Sequence, residues 1–135
     1  MVSDLERDEL PENKVAKIIV DAAVEVHRTL GGPGLLESLY EEALAHELEL
    51  RGLTVKRQWP VIVAYKGKQL KDDLRLDLLV SDLVIVECKA VVAWNPVHQA
   101  QALTYLRLTG LKLALVINFG EVLVREGIHR VVNRL

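Results

Sequence analysis

The sequence has one cysteine, Cys88, in 135 residues. A lone thiol closes no internal disulfide and cannot build a Cys-rich zinc site. Proline and glycine are sparse, at 4 and 8 residues, with no low-complexity tract and no internal repeat. That excludes linker-rich and solenoid architectures. No apolar run reaches the ~18 residues that a membrane span needs. The first nine residues, Met1 to Glu9, are acidic and lack the apolar stretch of a signal peptide. A formal net charge of −2 excludes a uniformly basic nucleic-acid binder. The expected class is a soluble cytoplasmic protein of one domain, since the length suits one domain and half the residues are apolar.

The charge that is present is unevenly placed. Residues 1–50 carry 4 basic and 12 acidic side chains, whereas residues 51–135 carry 13 basic and 7 acidic. The basic excess can attract phosphate locally, or the acidic helices can simply complement a basic sheet.

Residues 1–12 read as an acidic lead-in, and 13–135 as the folded domain. A helix is expected from about Asn13 to Leu30, with Val15, Ile18, Ile19, Ala22, Ala23 and Val26 on one face. His27 and Arg28 in its last turn suit the helix dipole. Gly31-Gly32-Pro33-Gly34 ends it. A second helix is expected from about Leu35 to Arg51, with Leu36, Leu39, Tyr40, Ala43, Leu44 and Leu48 buried. Glu41, Glu42, Glu47 and Glu49 read as its solvated face. Glu37 stands apart, because Tyr40 lies three residues on and shares its face.

Strands are expected at Leu53–Gln58, Val61–Tyr65 and Lys68–Lys71, with Trp59-Pro60 a bend or edge position and Lys66-Gly67 a hairpin turn. Lysines in this region protect an exposed edge or touch phosphate. Further strands are expected at Leu74–Val80, Leu83–Ala90, Lys112–Asn118, Glu121–Arg125 and Ile128–Val132. Asn95-Pro96 should open a helix reaching about Leu108, with His98, Gln101 and Tyr105 on one stripe.

The chemistry concentrates at the Leu83–Ala90 strand. It is apolar until Glu87 and Lys89, which point the same way, roughly 6.6 Å apart along the strand. Charges at the end of a core strand need a partner or a metal. Asp77 stands ten residues earlier on the adjoining strand. Two carboxylates and a lysine so placed make an oxygen site for a hard cation, with a charge stabiliser beside it.

The pattern Asp77-x9-Glu87-x-Lys89 resembles the PD-(D/E)xK nuclease-like superfamily. Gly34-Leu35-Leu36-Glu37-Ser38-Leu39-Tyr40 fits the Gly-x-x-Glu-x-x-Tyr signature of the GxxExxY family within it. The similarity continues, in order, through Arg75-Leu76-Asp77, Val86 to Ala90, Gln101 to Tyr105, and Ile117 to Gly120. The resemblance implies an α/β, restriction-endonuclease-like mixed sheet flanked by helices. It implies a Mg²⁺- or Mn²⁺-dependent nuclease that hydrolyses phosphodiester bonds. Asp77, Glu87 and the Cys88 carbonyl would hold the ion, with Glu37 as a further acidic ligand or water-mediated partner. Lys89 would orient the attacking water or stabilise charge, supported by Gln101 and Tyr105. The implied partner is nucleic acid, DNA or RNA, without a membrane; a homo-oligomer is compatible. The alternative is a non-catalytic nucleic-acid- or protein-binding module on the same fold.

Strand parity sets a geometric requirement. Asp77 and Glu87 share a face only if paired residue numbers sum to an even number. A two-residue turn at Ser81-Asp82 would pair Val80 with Leu83 and separate the acids. A three-residue connection or a bulge near residues 81–83 is therefore expected.

Overall fold

The computed structural model describes residues 3, 6, 9–71 and 73–135. Half of the acidic lead-in of residues 1–12 lies outside them. Helix α1 spans Pro11–Thr29, with proline in its first turn and His27 and Arg28 in its last. Its buried stripe is Val15, Ala16, Ile19, Ala22, Ala23 and Val26. His27 is buried too, near the rings of Tyr40 and Phe119, so it is a packed residue and not a solvated dipole partner. Helix α2 spans Glu37–Leu50. Its buried stripe is Tyr40, Glu41, Leu44, Ala45 and Leu48; Leu36 and Leu39, expected inside, are exposed.

Tyr40 explains the sharp turn between the two helices. Its ring stacks on Phe119 with centroids 4.7 Å apart. Its hydroxyl donates to the Gly32 carbonyl at 2.6 Å and accepts from the Leu35 N–H at 3.2 Å. A fully buried phenol thus satisfies the backbone of the glycine-rich loop and sets where α2, and with it Glu37, begins.

Seven strands follow: β1 Val55–Pro60, β2 Ala64–Tyr65, β3 Lys68–Gln69, β4 Arg75–Val80, β5 Val84–Lys89, β6 Leu113–Asn118 and β7 Ile128–Val132. Helix α3, Val97–Thr109, lies between β5 and β6. It starts slightly later than the sequence suggests, with the Asn95 side chain accepting the Val97 N–H. The five long strands form one sheet in the order β1-β4-β5-β6-β7, and β2-β3 is a separate small hairpin. The sheet is mixed: β5 and β6 run parallel, all other pairs antiparallel. This is the expected α/β architecture: among the described residues, a mixed five-stranded sheet with three long α-helices.

Residues Glu121–Arg125 are not a strand. A turn there leads into a 3₁₀ segment, Val124–Gly127. The cause is Asn118, whose side chain accepts the Gly120 N–H and curls the chain away from the sheet.

Both faces of the sheet are covered. Leu78, Val80, Val84, Val86 and Cys88 pack with α1 and α2. Leu76, Leu79, Ile85, Ala114 and Val116 pack with Ala102, Tyr105 and Leu106 of α3. Strands β5 and β6 are therefore buried on both sides, which is why they read as unbroken apolar runs. In β4, Leu76 and Leu79 belong to the same core although three residues apart. Strict alternation is broken between them, around Asp77.

Asn118 at the end of β6 ties the chain beyond β5. Fully buried, it accepts from the Val91 and Gly120 N–H groups, both at 3.0 Å, and donates to the Val91 carbonyl at 3.1 Å. A β-carbon at Gly120 would collide with the Val91 backbone, so the two segments touch directly. Asn118 pairs with Lys89 in the parallel ladder. Replacing Asn118 by alanine strands several buried groups, so a loss of about 3 kcal/mol is expected in urea unfolding, against about 1 kcal/mol at exposed Asn95, which holds a single helix-start N–H.

Candidate active site

The turn after β4 meets the parity requirement. Ser81 and Asp82 both take left-handed backbone angles, with φ of 53° and 55°, and the Leu83 N–H donates to the Val80 carbonyl at 3.0 Å. Yet Val80 pairs with Val84, leaving Leu83 as an extra residue. The β4–β5 pairs therefore sum to an even number, and Asp77 lies opposite Glu87.

The regular β4–β5 pairing stops at Leu78–Val86. Beyond it the carboxylates replace the ladder. The Cys88 N–H donates to Asp77 Oδ2 at 2.8 Å, and the Asp77 N–H donates to Glu87 Oε1 at 3.4 Å. On the other side of β4, β1 pairs Arg57 with Leu78 and Trp59 with Leu76, but Gln58 and Asp77 between them are unpaired. Gln58 has a left-handed φ of 49°. Asp77 is thus released from regular pairing with both neighbouring strands.

Electrostatics show how tightly the acids are held. Glu87 is only 6% exposed. Burial, the negative charge of Asp77 and a side-chain hydrogen bond to Asp77 raise its pKa from 4.5 to about 9. Lys89 pulls the other way but does not win. Burial and the neighbouring Asp77 thus favour the neutral form of the Glu87 carboxyl at neutral pH. Lys89, partly buried, also acts on two groups from different elements. It opposes the rise of the Glu37 carboxyl, which partial desolvation drives and Asp77 reinforces. It also adds to the burial that lowers His98. Glu37 and His98 therefore flank Lys89 from α2 and α3.

Tyr105 is buried in α3, and its phenol is raised first by burial, then by Glu87 and Asp77. Gln101, one turn earlier, is exposed and makes no hydrogen bond among the described residues. The Cys88 side chain is sealed in the α1–α2 core, with its thiol pushed well up by burial. Only its backbone can serve the site.

Among the described residues, no three His, Cys, Asp or Glu side chains gather closely enough to hold a metal ion. Glu37 feels the charge of Asp77 from α2. The close pair is Asp77 and Glu87. Two carboxylates suit Mg²⁺, which keeps several waters and takes one or two protein acids, and suit neither zinc nor a calcium cage. The raised Glu87 carboxyl marks charge crowding that a divalent cation would relieve.

Glu41 corrects the expectation of a solvated face. It is 6% exposed, accepting from Arg57 Nη2 at 3.0 Å and Gln58 Nε2 at 2.8 Å. Burial raises its pKa, the Arg57 bond lowers it and Asp77 raises it again. Its i+4 spacing from Glu37, on the helix face next to Tyr40, is the sequence signal that points to it.

No curated protein and no solved structure matches the chain. A family model does, over residues 13–131, nearly all of the domain. With two acids facing each other where β4 and β5 part, and Lys89 two residues after Glu87, the chain belongs to the PD-(D/E)XK nuclease superfamily.

Proposed function

We propose that the protein is a Mg²⁺- or Mn²⁺-dependent nuclease that hydrolyses phosphodiester bonds of DNA or RNA. Within the superfamily, Gly34, Glu37 and Tyr40 support placing it with the GxxExxY proteins. The observation that carries the reading is the Asp77–Glu87 pair, released from its ladders and two residues from Lys89. Asp77, Glu87 and the Cys88 carbonyl would hold the ion, with Glu37 acting from the rim. The ion supplies Lewis-acid charge to the phosphoryl oxygen.

The chain's own groups do the rest. Lys89, an ammonium without a free lone pair, orients the attacking water or steadies charge on the phosphate. Tyr105 places a phenol beside the acids from the α3 side. Gln101, exposed one turn away, is free to hydrogen-bond the substrate. The other reading is a nucleic-acid- or protein-binding module without turnover on the same fold. Titration with Mg²⁺ and Mn²⁺ alongside a panel of DNA and RNA substrates decides between them. Lys89→Ala should bind Mg²⁺ as wild type does and lose about 100- to 1,000-fold in hydrolysis rate. Asp77→Asn should weaken both. A wild type that neither binds these ions nor cleaves any substrate removes the nuclease assignment.

The raised Glu87 carboxyl makes a separate, metal-free prediction. Its folded-state pKa of about 9 lies above the ordinary 4.5. The folded protein therefore holds a proton that the unfolded chain releases. The stability from this group is complete below pH 4.5 and is lost as pH rises through about 9. Urea midpoints of metal-free protein should fall across that window, and Glu87→Gln should flatten the fall. Mg²⁺ affinity of the wild type should rise over the same range, because the ion displaces the proton.

A further inference from the structure

The Glu41 cluster has features that fold stability does not explain. A carboxylate is buried one strand away from an acid pair that already repels, where an apolar side chain of similar size is often equally or more stable. Its two oxygens are filled by consecutive residues of β1, Arg57 and Gln58. Consecutive strand residues normally point to opposite faces. Arg57 pairs with Leu78, which faces α1 and α2, so Arg57 reaches Glu41 of α2 directly. Gln58 would point away, and its left-handed backbone turns it back to the same carboxylate. Such a conformation is unfavourable for a non-glycine residue and persists only where the surroundings impose it. The Gln58 carbonyl accepts instead from Arg75 Nη1 at 3.4 Å.

The outcome is a guanidinium fixed at one end. Glu41 is sealed, but the Arg57 side chain is 41% exposed. Arginine carries five N–H donors in a planar fork, and the Glu41 bond uses one of them. Arg57 stands opposite Leu78, one residue along β4 from Asp77, whose charge reaches Glu41. We propose that Arg57, anchored by Glu41 and Gln58, is a phosphate-binding subsite that grips the nucleic-acid backbone next to the Asp77–Glu87 pair. This rests on the nuclease reading and adds a contact to it. A preorganised fork matches a phosphate in two-point fashion with little side-chain ordering on binding.

The test is binding of fluorescein-labelled duplex and single-stranded oligonucleotides, with Ca²⁺ in place of Mg²⁺, between roughly 50 and 200 mM salt. The double variant Glu41→Gln/Arg57→Gln leaves no unpaired buried charge. It should bind about tenfold more weakly, as expected for one lost charged contact. Its plot of log affinity against log salt should be shallower by about one unit. Arg57→Lys keeps the ion pair with Glu41 and guards against a folding defect. It should keep the wild-type salt slope and lose several-fold in affinity with the planar fork. A double variant with wild-type affinity and slope overturns the Arg57 assignment and leaves the nuclease reading standing. A wild type that neither binds nor cleaves any oligonucleotide overturns both.

Discussion

Once Val80 is paired with Val84, the β4–β5 register carried on past Leu78–Val86 sets Asp77 opposite Glu87. Leu83 is the residue that makes this so. Without the extra position the register would shift by one and the two acids would no longer stand across from each other. Charge crowding and the neighbourhood of Lys89 depend on that count. The turn that supplies it uses two left-handed residues, Ser81 and Asp82, of types that tolerate such geometry better than most.

The second constraint is that β4 has no regular pair at Asp77 on either side. In a continuous sheet its N–H would bond a neighbouring carbonyl; here it bonds the Glu87 carboxyl. Two kinds of order meet at this point. Below it, β4, β5 and β6 pack between two apolar layers with alternating side chains. Above it, position is set by hydrogen bonds from side chains: Asn118 to Val91, Asp77 to Cys88, Glu41 to Arg57 and Gln58. The apolar layers supply rigidity, and the polar bonds aim the acids. Tyr40 extends the same logic to α2, since the loop it holds decides where Glu37 enters.

The sequence made the long elements plain. The apolar period of α1 and the unbroken runs of β5 and β6 have one physical reading each. Asp77, Glu87 and Lys89 were legible because charges interrupt apolar strands there, and two acids on adjoining strands can share a face only with an extra residue in the turn, as Leu83 is. Glu41 was hidden because it stands among Glu42, Glu47 and Glu49, and local sequence does not show that β1 folds back with Arg57 and Gln58 to cover it. Leu36 and Leu39 misled for the opposite reason. They have helical spacing, but the loop held by Tyr40 turns that end of α2 outward. The 3₁₀ segment at Val124–Gly127 reads as a β-rich run, and only the side-chain bonds of Asn118 reveal that the chain leaves the sheet.

Cys88 stands between the two site charges in sequence and behind them in space. Its thiol is sealed in the α1–α2 core and held in the neutral form. It is the sole sulfhydryl of the chain. Alkylating and maleimide reagents that require a thiolate therefore meet an inert background in the folded protein. A cysteine introduced on the rim, at exposed Leu36 or Val92, would be the single reactive handle. Probes or crosslinkers could be attached there with no native cysteine removed first.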